Sequence, residues 1–224
     1  MRVCILIPAH NEIRAIGVLV TTLRAQNLEV LVVDDGSTDG TSDAAKNAGA
    51  VVLRNEECKG KGFSLRQGFN WVLNRGYQGV VTMDGDGQHD PEDLSKFLAK
   101  AESKECGIIN GDRLSNAKGM PLLRYTVNCL MSWIISLVCK QKIADSQCGY
   151  RYICCDVLKY FELNTDGFEI ESELLIKAAR RRIKIDAVPV KTIYGQELSK
   201  VRPVRDTIKF IQFLTKQLIG DKRQ

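Results

Sequence analysis

Two acidic runs carry the most evident chemistry in this 224-residue chain: Asp34-Asp35-Gly36-Ser37-Thr38-Asp39-Gly40-Thr41 and Met83-Asp84-Gly85-Asp86-Gly87-Gln88-His89-Asp90-Pro91. Carboxylates gathered this closely repel one another unless a cation sits among them. Neither run is a calcium loop of the EF-hand kind. Counted from Asp35, the sixth position is Gly40 as required, but the twelfth is Lys46 where a bidentate Glu belongs. Counted from Asp84, those positions are His89 and Ser95. Asp84 and Asp86, two apart on a Gly-rich turn, suit Mg²⁺ or Mn²⁺ held by one or two carboxylates, with other coordination sites left to water and phosphate oxygens. Asp90-Pro91-Glu92-Asp93 reads instead as the N-cap, proline and acidic first turn of a helix.

These runs need a frame, and the flanking sequence supplies one. VCILIP, EVLVVDD, AVVLRN, GVVTMDGD and GIINGD are short apolar, β-branched stretches that end in polar or Gly-rich turns. Amphipathic segments over 12–26, 41–49, 62–74 and 91–102 separate them. Near-continuously apolar strands alternating with helices predict an α/β fold with a parallel sheet covered on both faces. Ligands of open α/β sheets sit beyond the carboxyl ends of the strands, where both acidic runs fall. The first strand ends in Pro8-Ala9-His10-Asn11-Glu12, which is neither the G-x-G-x-x-G of a dinucleotide site nor a P-loop. After Asp112 the rhythm changes: an apolar helix over 121–139, a strand at 149–153, a helix at 168–182 and a strand at 184–190. A last helix over about 204–219 has Val204, Ile208, Ile211, Leu214 and Leu218 on one face. With no repeat, low-complexity tract or linker, the chain reads as one domain.

Composition narrows the class. Hydrophobic residues at 44% and charged residues at 26% exclude wholesale disorder. The longest apolar stretch, 129–139, has eleven residues, Ser included, against roughly 20 for a bilayer span, so no crossing is expected. MRVCILIPAHNE reads as a first strand, too short in its apolar run for a signal peptide. The eight cysteines show no C-x-x-C, and His10 and His89 are not spaced with them as zinc ligands would be, so buried free thiols in a reducing cytosol are expected. The net charge of +5 is divided: residues 177–224 hold 13 Lys+Arg against 4 Asp+Glu, +9, leaving 19 against 23, −4, for residues 1–176. A basic end on an acidic body suggests an anionic partner, whether nucleic acid, acidic lipid or phosphorylated substrate. Nucleic acid is disfavoured, because no aromatics interleave with the charges.

IPAHNE, VVDDGSTDGT and MDGDGQHDP together resemble the nucleotide-sugar domain of family 2 glycosyltransferases. DSQCGYR at 145–151, FEIESELL at 168–175 and IYGQELSK at 193–200 are similar to the branch of dolichol-phosphate mannosyltransferases and related polyprenyl-phosphate glycosyltransferases. The similarity runs over about 2–210. It implies the GT-A fold, with a Rossmann-like nucleotide-sugar half at 1–112, an acceptor half at 113–203 and a basic amphipathic C-terminal helix at 204–224. By position, the resemblance implies that Pro8, His10 and Glu12 line base and ribose, that Asp35 meets the base, and that Asp34 orients that loop. Asp84, Asp86 and Gln88 match the metal set, with Gly85 where Ala is more usual. Arg113 and Lys200 match basic residues near the phosphates; Arg151, Lys200 and Arg202 are candidates for an acceptor phosphate. Asp145 stands where such enzymes have a candidate base. An Arg that eukaryotic mannosyltransferases carry before their Tyr-Gly has no counterpart, since Thr192-Ile193 precede Tyr194-Gly195, and the donor stays open between GDP-mannose and a UDP-sugar.

The implied reaction is an inverting, metal-dependent transfer of a sugar from a nucleoside diphosphate. A cation on Asp84 and Asp86, with nearby Arg or Lys, would stabilise the departing diphosphate. A hydroxyl acceptor needs a base; a phosphate acceptor, already ionised, needs cations and gives Asp145 an orienting role. Glu173 alone of Glu169, Glu171 and Glu173 matches a recurring family position, and Lys59-Gly60-Lys61-Gly62 is either a plain turn or a phosphate contact. The expected partners are a nucleotide sugar, a lipid phosphate, and the cytosolic face of a membrane or a membrane-anchoring subunit. A hydroxyl-directed transferase and an inactive nucleotide-binding scaffold are the competing readings.

Overall fold

The computed structural model describes residues 1–103, 105, 107–193, 210 and 212–215. Seven strands form one sheet: β1 (Val3–Ala9), β2 (Glu29–Asp34), β3 (Val51–Arg54), β4 (Gly79–Thr82), β5 (Ile108–Asp112), β6 (Arg151–Cys154) and β7 (Ile185–Pro189), in the spatial order β3-β2-β1-β4-β6-β5-β7. All pairs are parallel except those of β6, which runs antiparallel to both β4 and β5. The sheet is therefore mostly parallel, as expected, with one strand reversed at its middle. That reversal follows from a long detour: the chain leaves β5, forms α5 (Leu122–Cys139) and re-enters the sheet from the opposite end.

Side chains of β1 alternate between two cores. Cys4 and Leu6 enter one, with Leu65 and Phe69 of α3 (Lys61–Leu73), Ile135 of α5, and Leu174 and Leu175 of α7 (Ile170–Arg180). Ile5 and Ile7 enter the other, with Ile16, Val20 and Leu23 of α1 (Ile13–Ala25), Ala45 of α2 (Thr41–Asn47), and Leu94 and Phe97 of α4 (Leu94–Glu102). Burial on both faces explains the lack of polar alternation in the strand sequences. A one-turn α6 (Cys155–Leu158), invisible to periodicity at four residues, follows β6 directly. Asp90 caps a 3-10 turn at Pro91–Asp93 by accepting from the Glu92 N–H at 3.0 Å, ahead of α4.

Helix α5 departs from expectation twice. It is 18 residues long, so by length and composition it is apolar enough to cross a membrane, which counting the uninterrupted run over 129–139 had excluded. Thr126 and Asn128 break that run but not the helix. Its polarity is also inverted. Asn128, Ser132, Ile135 and Cys139 are buried, whereas Leu122, Leu123, Val127, Leu130, Trp133 and Leu137 are exposed. Of the cysteines, Cys4, Cys139, Cys148 and Cys155 are buried free thiols, but Cys58 is exposed and Cys129 and Cys154 are half-buried. Cys106 lies outside the described residues, as does most of the C-terminal helix; Phe210 and 212–215 are helical, and Phe210 and Phe213 bury their rings against the α5–α7 core.

Candidate active site

The carboxyl ends of β1, β2, β4 and β5 meet along one edge of the sheet. The loops after β1 and β2 are laced together. Ser37 Oγ accepts from the Asn11 N–H at 2.9 Å, and Thr41 Oγ1 from the Glu12 N–H at 2.8 Å. His10 Nδ1 lies 2.7 Å from the Asp35 carbonyl oxygen, which can only accept, so Nδ1 carries the proton. Buried Asp34 accepts from the Ser37 N–H at 3.0 Å and from the Ser42 hydroxyl, tying its own loop to α2. Asp35 accepts from the backbone N–H groups of Lys59 and Gly60 at 3.0 and 2.7 Å and from Asn55 Nδ2 at 2.8 Å. Burial pushes the Asp35 carboxyl up, but these donors outweigh it and hold it below the ordinary carboxylate range. Gly60, at φ +105°, turns the chain so that its N–H reaches Asp35, and a Cβ there would strike the Asp166 carbonyl.

Asp84 stands at the centre of the edge. Its Oδ1 lies 2.5 Å from Lys61 Nζ and its Oδ2 3.3 Å from His89 Nε2. Lys61 Nζ also donates to Glu171 Oε1 at 2.6 Å, and Arg151 Nη2 approaches Glu171 Oε2 at 3.6 Å. Lys61, Asp84, Glu171 and Arg151 line a small cavity of about 10 Å³ together with Pro8, Thr82, Gly149 and apolar side chains such as Leu65 and Leu174. Burial raises the Asp84 carboxyl, but Lys61 foremost, with His89, drives it strongly down, so it is ionised. Burial lowers the Lys61 ammonium, and Asp84 and Glu171 reverse that. Asp86, two residues on, is half-buried and accepts from the Gln88 N–H at 3.0 Å. Gly85 is buried between them, where a Cβ would meet Ala9 Cβ at 3.3 Å. Among the described residues no three His, Cys, Asp or Glu side chains gather into a ready-made metal site. Asp84 and Asp86, two residues apart at this strand end, nonetheless suit Mg²⁺ or Mn²⁺, which take few protein ligands when phosphate supplies others.

Arg113 and Asp145 form a buried pair. Arg113 Nε donates to Asp145 Oδ2 at 2.7 Å and Nη2 to Oδ1 at 3.1 Å. The Arg113 and Gln147 N–H groups add bonds at 3.3 and 3.1 Å. Arg151 is 1% exposed; Nη1 donates to the Glu171 carbonyl and Nη2 to the Ser146 carbonyl, each at 2.7 Å, while its buried Nε has no partner. Lys200 and Arg202 lie outside the described residues.

Pro8, Asp84, Arg151 and Gly149 thus converge on one cleft, while Asp34, Asp35 and His10 organise the neighbouring loops. Two members of the cleft, Lys61 and Glu171, are weighed from sequence but receive no site role there, Lys61 standing between turn and phosphate contact and Glu171 passed over for Glu173. Lys61 was legible in retrospect: a cation at the first position of a helix opposes the macrodipole and needs a compensating anion. Glu171, 110 residues away, gave no such signal. Its neighbour Glu173, the expected site candidate of that helix, points elsewhere. It accepts from the Asn164 and Thr165 N–H groups at 3.0 Å each and pairs with Lys177 at 2.8 Å, fixing the loop that packs on Gly60 and Gly62.

A parallel α/β half, an acidic strand-end loop and a reversed β6 that brings a second half onto the same edge are the layout of the GT-A fold. The chain belongs to Glycosyl transferase family 2, whose profile matches residues 4–159. It is 31% identical over 215 residues to the UDP-N-acetylglucosamine–dolichyl-phosphate N-acetylglucosaminyltransferase of Methanococcus voltae, covering 86% of each chain. It is 31% identical over 212 residues to the undecaprenyl-phosphate mannosyltransferase of Micrococcus luteus, covering 89% of this chain and 86% of that one. A solved structure of glucosyl-3-phosphoglycerate synthase from Mycobacterium tuberculosis, in complex with Mn²⁺, UDP and glucosyl-3-phosphoglycerate, superposes with a TM-score of 0.75 at 19% identity, over 97% of this chain and 78% of that one. At that identity the shared property is the fold.

Proposed function

We propose that this chain transfers a sugar from a nucleoside-diphosphate sugar, GDP-mannose or a UDP-sugar, to a polyprenyl phosphate at a membrane surface, using Mg²⁺ or Mn²⁺. The observation that carries the acceptor class is the state of Asp145. Its carboxylate accepts two bonds from Arg113 and two from backbone N–H groups, which leaves it poorly placed to take a proton. A hydroxyl acceptor requires such a base. A phosphate monoester, with a second pKa near 6, is already largely dianionic at neutral pH and requires cations instead. Lys61 and Arg151 beside Asp84 are those cations within the cleft. The relatives named for dolichyl and undecaprenyl phosphate support the same class.

In one step, a phosphate oxygen of the acceptor forms the bond to the anomeric carbon. The diphosphate oxygen leaves with the electron pair of the broken bond, and the configuration inverts. Asp84 and Asp86 would hold the divalent cation, which supplies positive charge to the departing diphosphate. Asp35 and Asn55, fixed by the loop ahead of α3, form the floor for the base, and Arg113 holds the loop 145–149 that closes the cleft.

Helix α5 supports the surface. Its outward Leu122, Leu123, Val127, Leu130, Trp133 and Leu137 are flanked by exposed Lys118, Arg124, Lys140 and Lys142, and residues 113–144 contain no acid. An apolar stripe with tryptophan and basic flanks suits the headgroup boundary of an anionic bilayer. The +9 segment over 177–224 adds to the same attraction and supports a peripheral position, proposed here on the cytosolic face. The test is nucleoside diphosphate release from a panel of UDP- and GDP-sugars with Mg²⁺ or Mn²⁺, with and without polyprenyl phosphate. Release stimulated by the lipid phosphate is expected; stimulation by sugar hydroxyls alone would overturn the acceptor class.

A further inference from the structure

The cleft holds a cation of its own. Lys61 Nζ lies 2.5 Å from Asp84 and 2.6 Å from Glu171, with its side chain 16% exposed. His89 takes the other oxygen of Asp84 at 3.3 Å. The carboxylate cannot turn away from both, because it rests on Gly149: a Cβ there would lie 2.5 Å from Oδ2. Both oxygens that would meet a metal are thus already engaged, and the side on which they could find relief is filled by backbone.

We propose that Lys61 is a built-in stand-in for the divalent cation, holding Asp84 until metal and nucleoside diphosphate arrive together. The inference rests on the metal–nucleotide reading above and adds an order to it. Within the cavity lining, Asp84 and Glu171 are matched by Lys61 and Arg151, so the lining itself offers a metal no surplus of negative charge; Asp86 lies outside it. A lone divalent ion must displace an ammonium from Asp84 and then sit beside that ammonium and the Arg151 guanidinium. A diphosphate brings the negative charge that offsets both. Glu171 makes the displacement possible, because it keeps Lys61 paired after Asp84 is given up and no buried charge is stranded. Lys61 is therefore a positioning residue that couples two ligands, and coupling of this kind is typically 5- to 150-fold in affinity.

Mn²⁺ binding to the full chain, read by the electron paramagnetic resonance signal of free Mn²⁺, separates this role from a structural one without any turnover. Wild type is expected to bind Mn²⁺ weakly alone and at least tenfold more tightly with UDP or GDP present. Lys61→Met is expected to bind Mn²⁺ alone about tenfold more tightly than wild type, whereas Lys61→Arg keeps the weak binding of wild type. Glu171→Gln, which leaves Asp84 as the only anion for Lys61, is expected to move the opposite way and weaken Mn²⁺ further. If Lys61→Met is too unstable to measure, Lys61→Gln takes its place, with the same expectation. Wild type that binds Mn²⁺ with nucleotide, but variants no tighter for Mn²⁺ alone, would overturn the stand-in and leave the function intact. No Mn²⁺ binding in any arm, with UDP and GDP both tried, would overturn the metal–nucleotide reading itself.

Discussion

Asp145 and Asp84 are both acids at the same edge, yet their surroundings give them opposite consequences. Asp145 is fully buried and shares its charge with Arg113. Asp145→Asn leaves that guanidinium without its counter-charge, a loss of about 3–5 kcal/mol for a broken buried pair. We expect a clear fall in melting temperature, part of which returns in the Asp145→Asn/Arg113→Met double variant; calorimetric scans of the three proteins check this. Asp84, with its side chain 30% exposed, is held by Lys61, which Glu171 also pairs. Asp84→Asn should change the melting temperature little and lower sugar transfer by orders of magnitude, measured as nucleoside diphosphate release at saturating metal. At this scale the sequence was informative where chemistry is local. Asp84 and Asp86 stand two apart, and that spacing is readable directly from the chain. The Lys61–Glu171 contact was hidden because α3 and α7, far apart in sequence, create it only by packing on the same sheet face.

Helix α5 is the element whose existence was plain and whose orientation was not. Its apolar residues are enough to predict a helix, but a count of them does not tell which side the core takes. The core takes the polar side because loop 143–146 needs it: Ser136 Oγ accepts from the Ile143 N–H and Ser132 Oγ from the Ser146 N–H, each at 2.9 Å. Large apolar side chains are left outside. Leu130→Asp and Trp133→Asp, at positions 55% and 60% exposed, should leave the melting temperature unchanged and abolish co-sedimentation with anionic vesicles. Loss of stability with unchanged vesicle binding would instead assign the stripe to packing. The strands were read nearly to their ends because burial on both faces makes them uniformly apolar. Reversed β6 was not foreseen as antiparallel, since strand direction depends on the path of the connection and not on strand composition.

The molecule as a whole ties its stability to its carboxylates. Asp35 and Glu173 are both raised by burial and lowered further by the donors around them, so both end below the ordinary range. A depressed carboxyl contributes stability that is complete above its unfolded value, near 4, and is lost as pH falls toward the folded one. The melting temperature should therefore be flat from neutral pH to about pH 5 and fall steeply below about pH 4. Glu173→Gln should start lower and fall less. The bonds from Ser132 and Ser136 have a mechanical consequence. Only three residues separate Lys140, at the end of α5, from Ala144, and the next residues, 145–149, carry the partner of Arg113 and the backbone on which Asp84 rests. Under the proposed surface orientation, a force on the outer face of α5 would reach the rim of the cleft through the bonds of Ser132 and Ser136, so lateral pressure and lipid packing would become inputs to the geometry of the reaction.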